Sequence, residues 1–215
     1  MVVEMDDATR EQVRELFTGL VNEVKIHLFI EEKDCLYCND VKDMVEQLAD
    51  LTEKLKIVEH KGALDSDLAK EMNVQYYPAI VLHGKEKYKV KFYGIPAGHE
   101  FGALVGSIID VSSGTSPLPP EIIEDIASID KPVGIKVFVT PQCPYCPDMT
   151  RLAHQSAIIN PLISSEMIES LEFQELTAQY GVFGVPKTII NETTTIDGLP
   201  PVDMFIEKLF EAIDN

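Results

Sequence analysis

Four cysteines form two C-x-x-C pairs, Cys35 with Cys38 and Cys143 with Cys146, and the sequence contains no other cysteine. A thiolate is the nucleophile of thiol–disulfide exchange, yet a free cysteine, with a pKa of about 8.5, is mostly protonated at neutral pH. In a reducing compartment, close pairs indicate redox catalysis or metal binding rather than a structural disulfide framework. These two pairs are therefore the first candidates for chemistry.

The segments around each pair predict how the sulfurs are positioned. A short apolar run precedes each pair, 26–30 in one case and 135–139 in the other, and predicts a buried strand. A helical pattern follows each pair, which places the cysteines on strand-to-helix turns. Unpaired N–H groups and the helix dipole stabilise negative charge at such a turn. We therefore expect the first cysteine of each pair to attack a disulfide and the second to resolve the mixed disulfide.

The two pairs differ in their neighbours. Pro144 follows the first cysteine of the C-terminal pair and suits the start of a helix, because it has no N–H and a fixed φ. Leu36 takes that place in the N-terminal pair, which Asp34 and Asp40 flank. Nearby carboxylates disfavour a thiolate. The sequence thus predicts that the C-terminal pair carries most of the turnover.

The chain repeats itself at an offset of 108 residues. In both halves a proline lies 43 positions after the first cysteine. Residues 112–120 between the halves are rich in turn formers and predict a boundary, with units at 1–114 and 115–215. The residues matched at this offset are Cys35, Tyr37, Cys38, Leu68, Val74 and Pro78 with Cys143, Tyr145, Cys146, Leu176, Val182 and Pro186.

Each half shows the pattern βαβαββα, preceded by one extra helix. The predicted fold class is α/β, with two tandem units that each contain a mixed four-stranded sheet flanked by helices. The first helix of each unit is predicted from apolar residues at helical spacing, which are expected to face the core. These residues are Val13, Leu16, Phe17, Leu20, Val21 and Val24 in one half and Ile122, Ile123, Ile126 and Ile129 in the other. Later strands are predicted at 56–60, 79–82, 89–93, 166–170, 187–190 and 193–197.

The composition narrows the class of protein. A hydrophobic content of 45% is ordinary for a globular chain, and 36 acidic against 18 basic residues give a net charge of −18. Such a charge repels nucleic acid and anionic membrane surfaces, so neither is an expected partner. The N-terminal residues lack the apolar run of a secretory signal, and no segment is long enough to span a bilayer. We expect a cytoplasmic protein.

These residues resemble a known family. Cys143-Pro144-Tyr145-Cys146 resembles the glutaredoxin active site, and segments 76–78 and 184–186 resemble the cis-proline loop of thioredoxin-fold proteins. The duplicated whole is similar to the two-unit protein disulfide oxidoreductases, glutaredoxin-like and related to protein disulfide isomerase, of thermophilic archaea and bacteria. The resemblance spans essentially the whole chain and implies that its two tandem units are thioredoxin-like.

This resemblance implies several properties. Pro78 and Pro186 would be cis and lie against the cysteines, and the backbone at Tyr77 and Val185 would pair with an extended substrate segment. The function would be to reduce, form or isomerise protein disulfides, with the redox-active disulfides and no further cofactor or metal. The expected partners are protein dithiols and disulfides, and a thioredoxin-reductase-like flavoenzyme.

Two features depart from the related families. Thioredoxin has a buried acid six positions before its first cysteine, where this chain has Phe29 and Val137, so proton transfer cannot use that acid. Glu31, Glu32 and Asp148 are close in sequence and are interpreted as surface charges. The glutathione signature of glutaredoxins is incomplete, which makes glutathione a doubtful reductant.

Three other functions compete with this interpretation. Four thiolates could bind a structural zinc ion, although the two pairs lie in separate strand-to-helix contexts. The chain also resembles the N-terminal module of the flavoprotein that reduces alkyl hydroperoxide peroxidases, a module expected to have lost the first cysteine pair. A chaperone-like binding role is the third alternative.

The histidines show no metal-ligand spacing and are interpreted as surface or core residues; they are His27, His60, His83, His99 and His154.

Overall fold

The computed structural model describes residues 5–33 and 35–214. Two successive sets of elements follow the same order, which confirms the predicted α/β class of two tandem units. The first set comprises α1 (Asp7–Phe17), β1 (Val24–Ile30), α2 (Cys38–Ala49), β2 (Leu55–Lys61), α3 (Asp67–Glu71), β3 (Ala79–His83), β4 (Val90–Tyr93) and α4 (Glu100–Ser113). The second comprises α5 (Pro120–Ala127), β5 (Val133–Val139), α6 (Cys146–Ile159), β6 (Ile163–Glu169), α7 (Gln174–Gln179), β7 (Lys187–Ile190), β8 (Thr194–Asp197) and α8 (Val202–Asp214).

The two four-stranded sheets join into one sheet of eight strands, in the order β2-β1-β3-β4-β6-β5-β7-β8. Within each half, the first two strands are parallel and the last two are antiparallel to their neighbours. The halves meet where β4 pairs in parallel with β6, so an edge strand of one unit is covered by the other. The sequence predicted the two sheets but not this junction.

Helices cover both faces of the sheet. The strands are therefore buried on both sides, which explains why their sequences are nearly continuous apolar runs. Along β1, Leu28 and Ile30 face a large core, whereas Phe29 faces a smaller one, because successive side chains alternate between faces. The helices α4 and α6 pack against each other across the halves. Ser107 Oγ lies 3.1 Å from His154 Nδ1 within this buried contact.

The first helix is shorter than its sequence pattern. It ends at Phe17, and Val24 is drawn into β1, where it pairs with Leu55 of β2. Leu16 and Val21 are 52% and 64% exposed, so their expected place in the core was wrong. The apolar residues at helical spacing extended beyond the end of α1 because β1, the next strand, also contributes buried apolar residues.

The predicted boundary coincides with the end of α4. Gly114 follows the helix with a left-handed φ of 67°, a conformation that favours glycine. The division into 1–114 and 115–215 stays a prediction, because the sheet and the α4–α6 contact both cross it. Among the helices of the described residues, none has the length and apolar character needed to cross a membrane.

Candidate active site

Both C-x-x-C pairs form disulfides on strand-to-helix turns, as the sequence predicted for their position. The Cα atoms of Cys35 and Cys38 are 5.5 Å apart, and so are those of Cys143 and Cys146. The strands β1 and β5 end a few residues before each pair. Each following helix begins at the second cysteine, with a tyrosine as the N-cap residue.

The two sulfurs of each pair differ in accessibility. Cys38 and Cys146 are 2% and 0% exposed, whereas Cys143 is 7% exposed and Cys35 is half-buried. An incoming disulfide therefore reaches the first cysteine of each pair more readily than the second. This difference fits the expected roles of an attacking first cysteine and a resolving second cysteine.

The helix N-termini favour a negative charge at the first cysteine. Neither α2 nor α6 has a side-chain cap at its N-terminus, so the N–H groups of the first turn face the loop that holds this cysteine. Asp40 and Asp148 occupy the same position in the first turn of the two helices. Asp40 therefore does not distinguish the two sites, contrary to our reasoning from the sequence, and Asp34 lies outside the described residues.

The two prolines lie at the cysteine end of the sheet. The peptide bonds Tyr77–Pro78 and Val185–Pro186 are both cis, as the resemblance implied. Pro78 directly precedes β3, which runs antiparallel to β1 and starts opposite the last residues of that strand. The second half repeats this arrangement with Pro186, β7 and β5. Each proline loop therefore borders the turn that carries its cysteine pair.

The residue before each proline leaves its backbone open to a partner. Among the described residues, no hydrogen bond joins the backbone N–H or C=O of Tyr77 or Val185 to another backbone group. An extended segment could pair with these groups by strand addition. The side chains differ, since the Tyr77 hydroxyl accepts a hydrogen bond from the Leu64 N–H at 2.8 Å, which fixes its ring across the loop.

A buried glutamate that the sequence analysis missed lies beside the C-terminal pair. Glu100, in the first turn of α4, is 1% exposed, and neither of its carboxylate oxygens has a hydrogen-bond partner among the described residues. Burial raises the pKa of Glu100 to about 7; the facing Thr150 hydroxyl partly offsets this, and Asp148 adds to it. Thr150 follows Cys146 by one helical turn, so an acid from one unit faces the redox helix of the other.

The helical spacing of the sequence after residue 100 could have predicted that Glu100 is buried. It shares a helix face with Ala103, Leu104 and Ser107, all buried, so an acid stands at the end of an otherwise buried stripe. The backbone N–H of the preceding residue donates to the Pro141 carbonyl at 3.0 Å, which anchors α4 next to the C-terminal cysteine loop. What the sequence could not show is that the stripe packs against the other half.

A second acid, Glu172, is half-buried and lies near the first turn of α2. Glu172 Oε1 accepts a hydrogen bond of 2.6 Å from the Ile95 N–H, across the junction between the halves. Burial raises the pKa of Glu172 to about 7; the Ile95 N–H lowers it in part, and Glu169 and Asp40 raise it further. Asp40 lies in the first turn of α2. Each unit therefore places a carboxyl group near the redox helix of the other unit, fully buried in the case of Glu100 and half-buried in that of Glu172.

The acids considered from the sequence lie elsewhere. Glu32 and Asp148 are exposed and Glu31 is half-buried, in keeping with surface charges. Among the histidines, His27 and His60 are within hydrogen-bonding distance, 3.1 Å between ring nitrogens, and His154 is buried. Within residues 5–33 and 35–214, no group of three or more histidine, cysteine or acidic side chains is arranged to hold a metal ion.

Comparison with known proteins places this geometry among redox proteins. The thioredoxin domain family model matches residues 133–211. The crystal structure of a protein disulfide oxidoreductase from Aeropyrum pernix k1 superposes with a TM-score of 0.90 and 30% sequence identity, covering 99% of this chain and 95% of that one.

A second group of similar proteins consists of alkyl hydroperoxide reductase components. The structure of the Enterococcus faecalis (V583) alkylhydroperoxide reductase component AhpF has a TM-score of 0.87 and 28% identity, covering 95% of this chain and 99% of that chain. The corresponding component of the alkyl hydroperoxide reductase of Staphylococcus aureus (strain N315) is 25% identical over 205 residues, which are 95% of this chain and 37% of the relative. The chain thus spans little more than a third of that protein.

Proposed function

The chain belongs to the thioredoxin-fold protein disulfide oxidoreductases, and from this premise we propose that it exchanges electron pairs with protein disulfides mainly at Cys143 and Cys146. It is a thiol–disulfide oxidoreductase with two redox-active disulfides. The single observation that supports the proposed division of roles is the paired geometry of each site. A more accessible first cysteine precedes an uncapped helix N-terminus, and a buried second cysteine begins that helix.

In the reducing direction, the Cys143 thiolate attacks one sulfur of the substrate disulfide. A mixed disulfide forms and one substrate thiolate leaves. The Cys146 thiolate then attacks Cys143 Sγ, which releases the second substrate thiolate and closes the protein disulfide. Two electrons pass to the substrate, and a dithiol or a partner flavoenzyme must return two electrons to the protein. The oxidising direction is the reverse of these steps.

The resolving step requires the Cys146 thiol to lose a proton. Glu100 is a suitable acceptor, because it is buried against Thr150, which follows this cysteine by one helical turn, and because burial raises its pKa to about 7. The acid of thioredoxin, which this sequence lacks, would thereby be replaced by a carboxyl group from the other unit. Pro186, Val185, Pro78 and Tyr77 would hold the substrate backbone beside the cysteines.

Reduction of insulin disulfides by dithiothreitol tests this function. The protein should accelerate the reduction, and the variant with all four cysteines replaced by serine should not, provided that its circular dichroism matches the parent. Full activity in that variant would overturn the assignment. Parallel assays of the two units expressed as residues 1–114 and 115–215 would test the proposed domain division.

A second candidate function is electron delivery to a peroxidase. It is favoured by the similarity to the alkyl hydroperoxide reductase component AhpF along nearly the whole chain. A thioredoxin-reductase-like flavoenzyme would then reduce this chain, which would in turn reduce the peroxidase. Comparing kcat/KM for a bacterial peroxidase disulfide with that for insulin distinguishes the two, since a dedicated donor should prefer the peroxidase by orders of magnitude.

A further inference from the structure

The loop that joins β4 to α4 contacts the C-terminal half of the chain at two points. Near its start, the Ile95 N–H donates to Glu172 Oε1 at 2.6 Å. At its end, the His99 N–H donates to the Pro141 carbonyl at 3.0 Å. This carbonyl belongs to the turn that carries the attacking cysteine of the C-terminal site. The joining loop of one unit therefore contacts the redox turn of the other.

The contact falls on the central peptide of that turn. The turn ends at Cys143, whose N–H donates to the Thr140 carbonyl at 3.1 Å, and Pro141 is its second residue. Turns of types I and II differ in the orientation of the central peptide, and type II needs a positive φ at the third residue. Gln142, the third residue, has no positive φ. The His99 N–H therefore holds the peptide in front of the cysteine in a single orientation.

Gly98 allows the joining loop to approach the turn this closely. Its φ is 60°, a left-handed conformation that favours glycine. A Cβ at this position would lie 2.4 Å from the Pro141 carbonyl oxygen, which is too close for two unbonded atoms. A side chain at Gly98 would therefore push the carbonyl away from the His99 N–H.

The redox turn of the N-terminal half has no such contact within the described residues. At the repeat offset, Lys33 stands where the C-terminal half has Pro141, and it is exposed. No backbone N–H of the described part of the chain donates to its carbonyl. The counterpart of the joining loop in the C-terminal half begins at Gly198, where a Cβ would meet no atom within 4 Å. The contact thus distinguishes the C-terminal site.

We propose that Gly98 and His99 are positioning residues of the C-terminal site, which hold the turn of Cys143 through the Pro141 carbonyl. The inference rests on the proposed function and concerns the same site. The N–H groups at the start of α6 stabilise a thiolate only within about one helical turn. A turn that is held in place keeps the sulfur within this range, whereas a released turn lets it move away and raises the pKa of the thiol. The N-terminal half thus tunes a cysteine of the C-terminal half.

The pH profile of Cys143 alkylation tests this role in the full chain, with the other three cysteines replaced by serine. Gly98→Ala should slow alkylation by about fivefold at pH values below the pKa of the thiol, which is the effect of losing one hydrogen bond. The rate at high pH, where the thiol is fully ionised, controls for accessibility. Gly62→Ala is the matched control, because Gly62 lies in the same unit with a φ of 56°. A Cβ there would meet one side-chain oxygen, at an ordinary 3.5 Å, and nothing in the C-terminal half.

Two substitutions at His99 separate the role of its backbone from that of its side chain. The φ of His99 is −63°, which suits proline, and its side chain is exposed. His99→Pro removes the N–H that donates to the Pro141 carbonyl and should shift the pH profile as Gly98→Ala does. His99→Ala keeps this N–H and should therefore keep the profile of the parent.

Amide hydrogen exchange at His99 gives a test that needs no substitution in the joining loop. Coupling is reciprocal, so ionisation of Cys143 in the reduced chain should slow this exchange by about fivefold, after correction for the intrinsic effect of pH. Exchange that does not follow this ionisation would overturn the positioning role and leave the proposed function standing. Unchanged alkylation profiles in Gly98→Ala and His99→Pro, or an equal shift in Gly62→Ala, would do the same. Failure of the parent chain to reduce insulin would instead count against the proposed function.

Discussion

Lys91 of β4 and Glu166 of β6 are register partners across the junction of the two units and form a buried ion pair, with 2.9 Å between Nζ and Oε1. The lysine side chain is 2% exposed and also donates to the Asn73 carbonyl at 2.8 Å. A charge buried to this extent is tolerated only when it is paired and hydrogen-bonded. The pair therefore fixes which strands meet at the centre of the eight-stranded sheet.

Lys91→Met should lower the free energy of unfolding by about 3–5 kcal/mol, because it leaves the Glu166 carboxylate buried and unpaired. The double variant Lys91→Met/Glu166→Leu should recover most of this loss. Guanidinium denaturation followed by circular dichroism measures both. Lys87→Met is the matched control: its partner Glu71 lies 3.1 Å away on the surface, and the expected loss is below about 1 kcal/mol. Equal losses for the two lysine variants would contradict the structural role of the buried pair.

The C-terminal pair should dominate turnover. Pro144 follows its first cysteine, whereas Asp40 and Asp148 affect the two sites alike. Cys143→Ser should therefore slow the reduction of insulin more than Cys35→Ser does. Alkylation rates against pH give the thiolate pKa of each cysteine. A lower pKa at Cys35, or a greater loss from Cys35→Ser, would assign the dominant site to the other half.

Stability should depend on pH through Glu100. Its pKa is raised to about 7 in the folded protein, against 4.5 ordinarily, so the folded state binds more protons than the unfolded state between these values. The contribution of Glu100 to the free energy of unfolding is therefore fully present below about pH 4.5. It is lost as the pH rises through 7, which lowers the free energy of unfolding by up to about 3 kcal/mol. Glu100→Gln should remove this part of the pH dependence. Denaturation midpoints at pH 5 and pH 8 measure it, and an unchanged difference between them would contradict the shifted titration.

The same variant tests proton transfer at the C-terminal site. If Glu100 accepts the Cys146 proton, Glu100→Gln should slow the resolving step by about 10²-fold or more and remove an ionisation near pH 7 from the rate profile. Single-turnover decay of the mixed disulfide measures this step directly. The alkylation rate of Cys143 serves as the reference for intact local structure. A profile that keeps its ionisation near pH 7 in Glu100→Gln would assign the proton transfer to another group.

Tyr77→Phe should destabilise the N-terminal proline loop by about 1 kcal/mol, because the Leu64 N–H loses its hydrogen-bond acceptor. Amide hydrogen exchange should show faster exchange at Leu64. The Ile95 amide, which donates to Glu172, provides an internal control whose protection stays the same. Unaltered exchange at Leu64 would show that the tyrosine hydroxyl does not hold this loop.

Local patterns were sufficient for much of the site. Branched apolar runs, the following helical spacing and the proline 43 residues after each first cysteine predicted the strands, the turns and the loops that border the cysteines. These features depend on residues close in the chain or repeated at one offset. The first helix was overextended because Val24 fits a helix and a strand equally well, and only its pairing with Leu55 decides between them.

By itself, the sequence determined the two redox turns and the duplicated order of elements, since periodicity and spacing act over short stretches of chain. Only the tertiary structure decided that β4 meets β6 and that Glu100 faces the opposite unit's redox helix. Each of these depends on contacts between segments distant in sequence. Such contacts leave no local pattern, because burial of a side chain is set by what packs against it after the chain has folded.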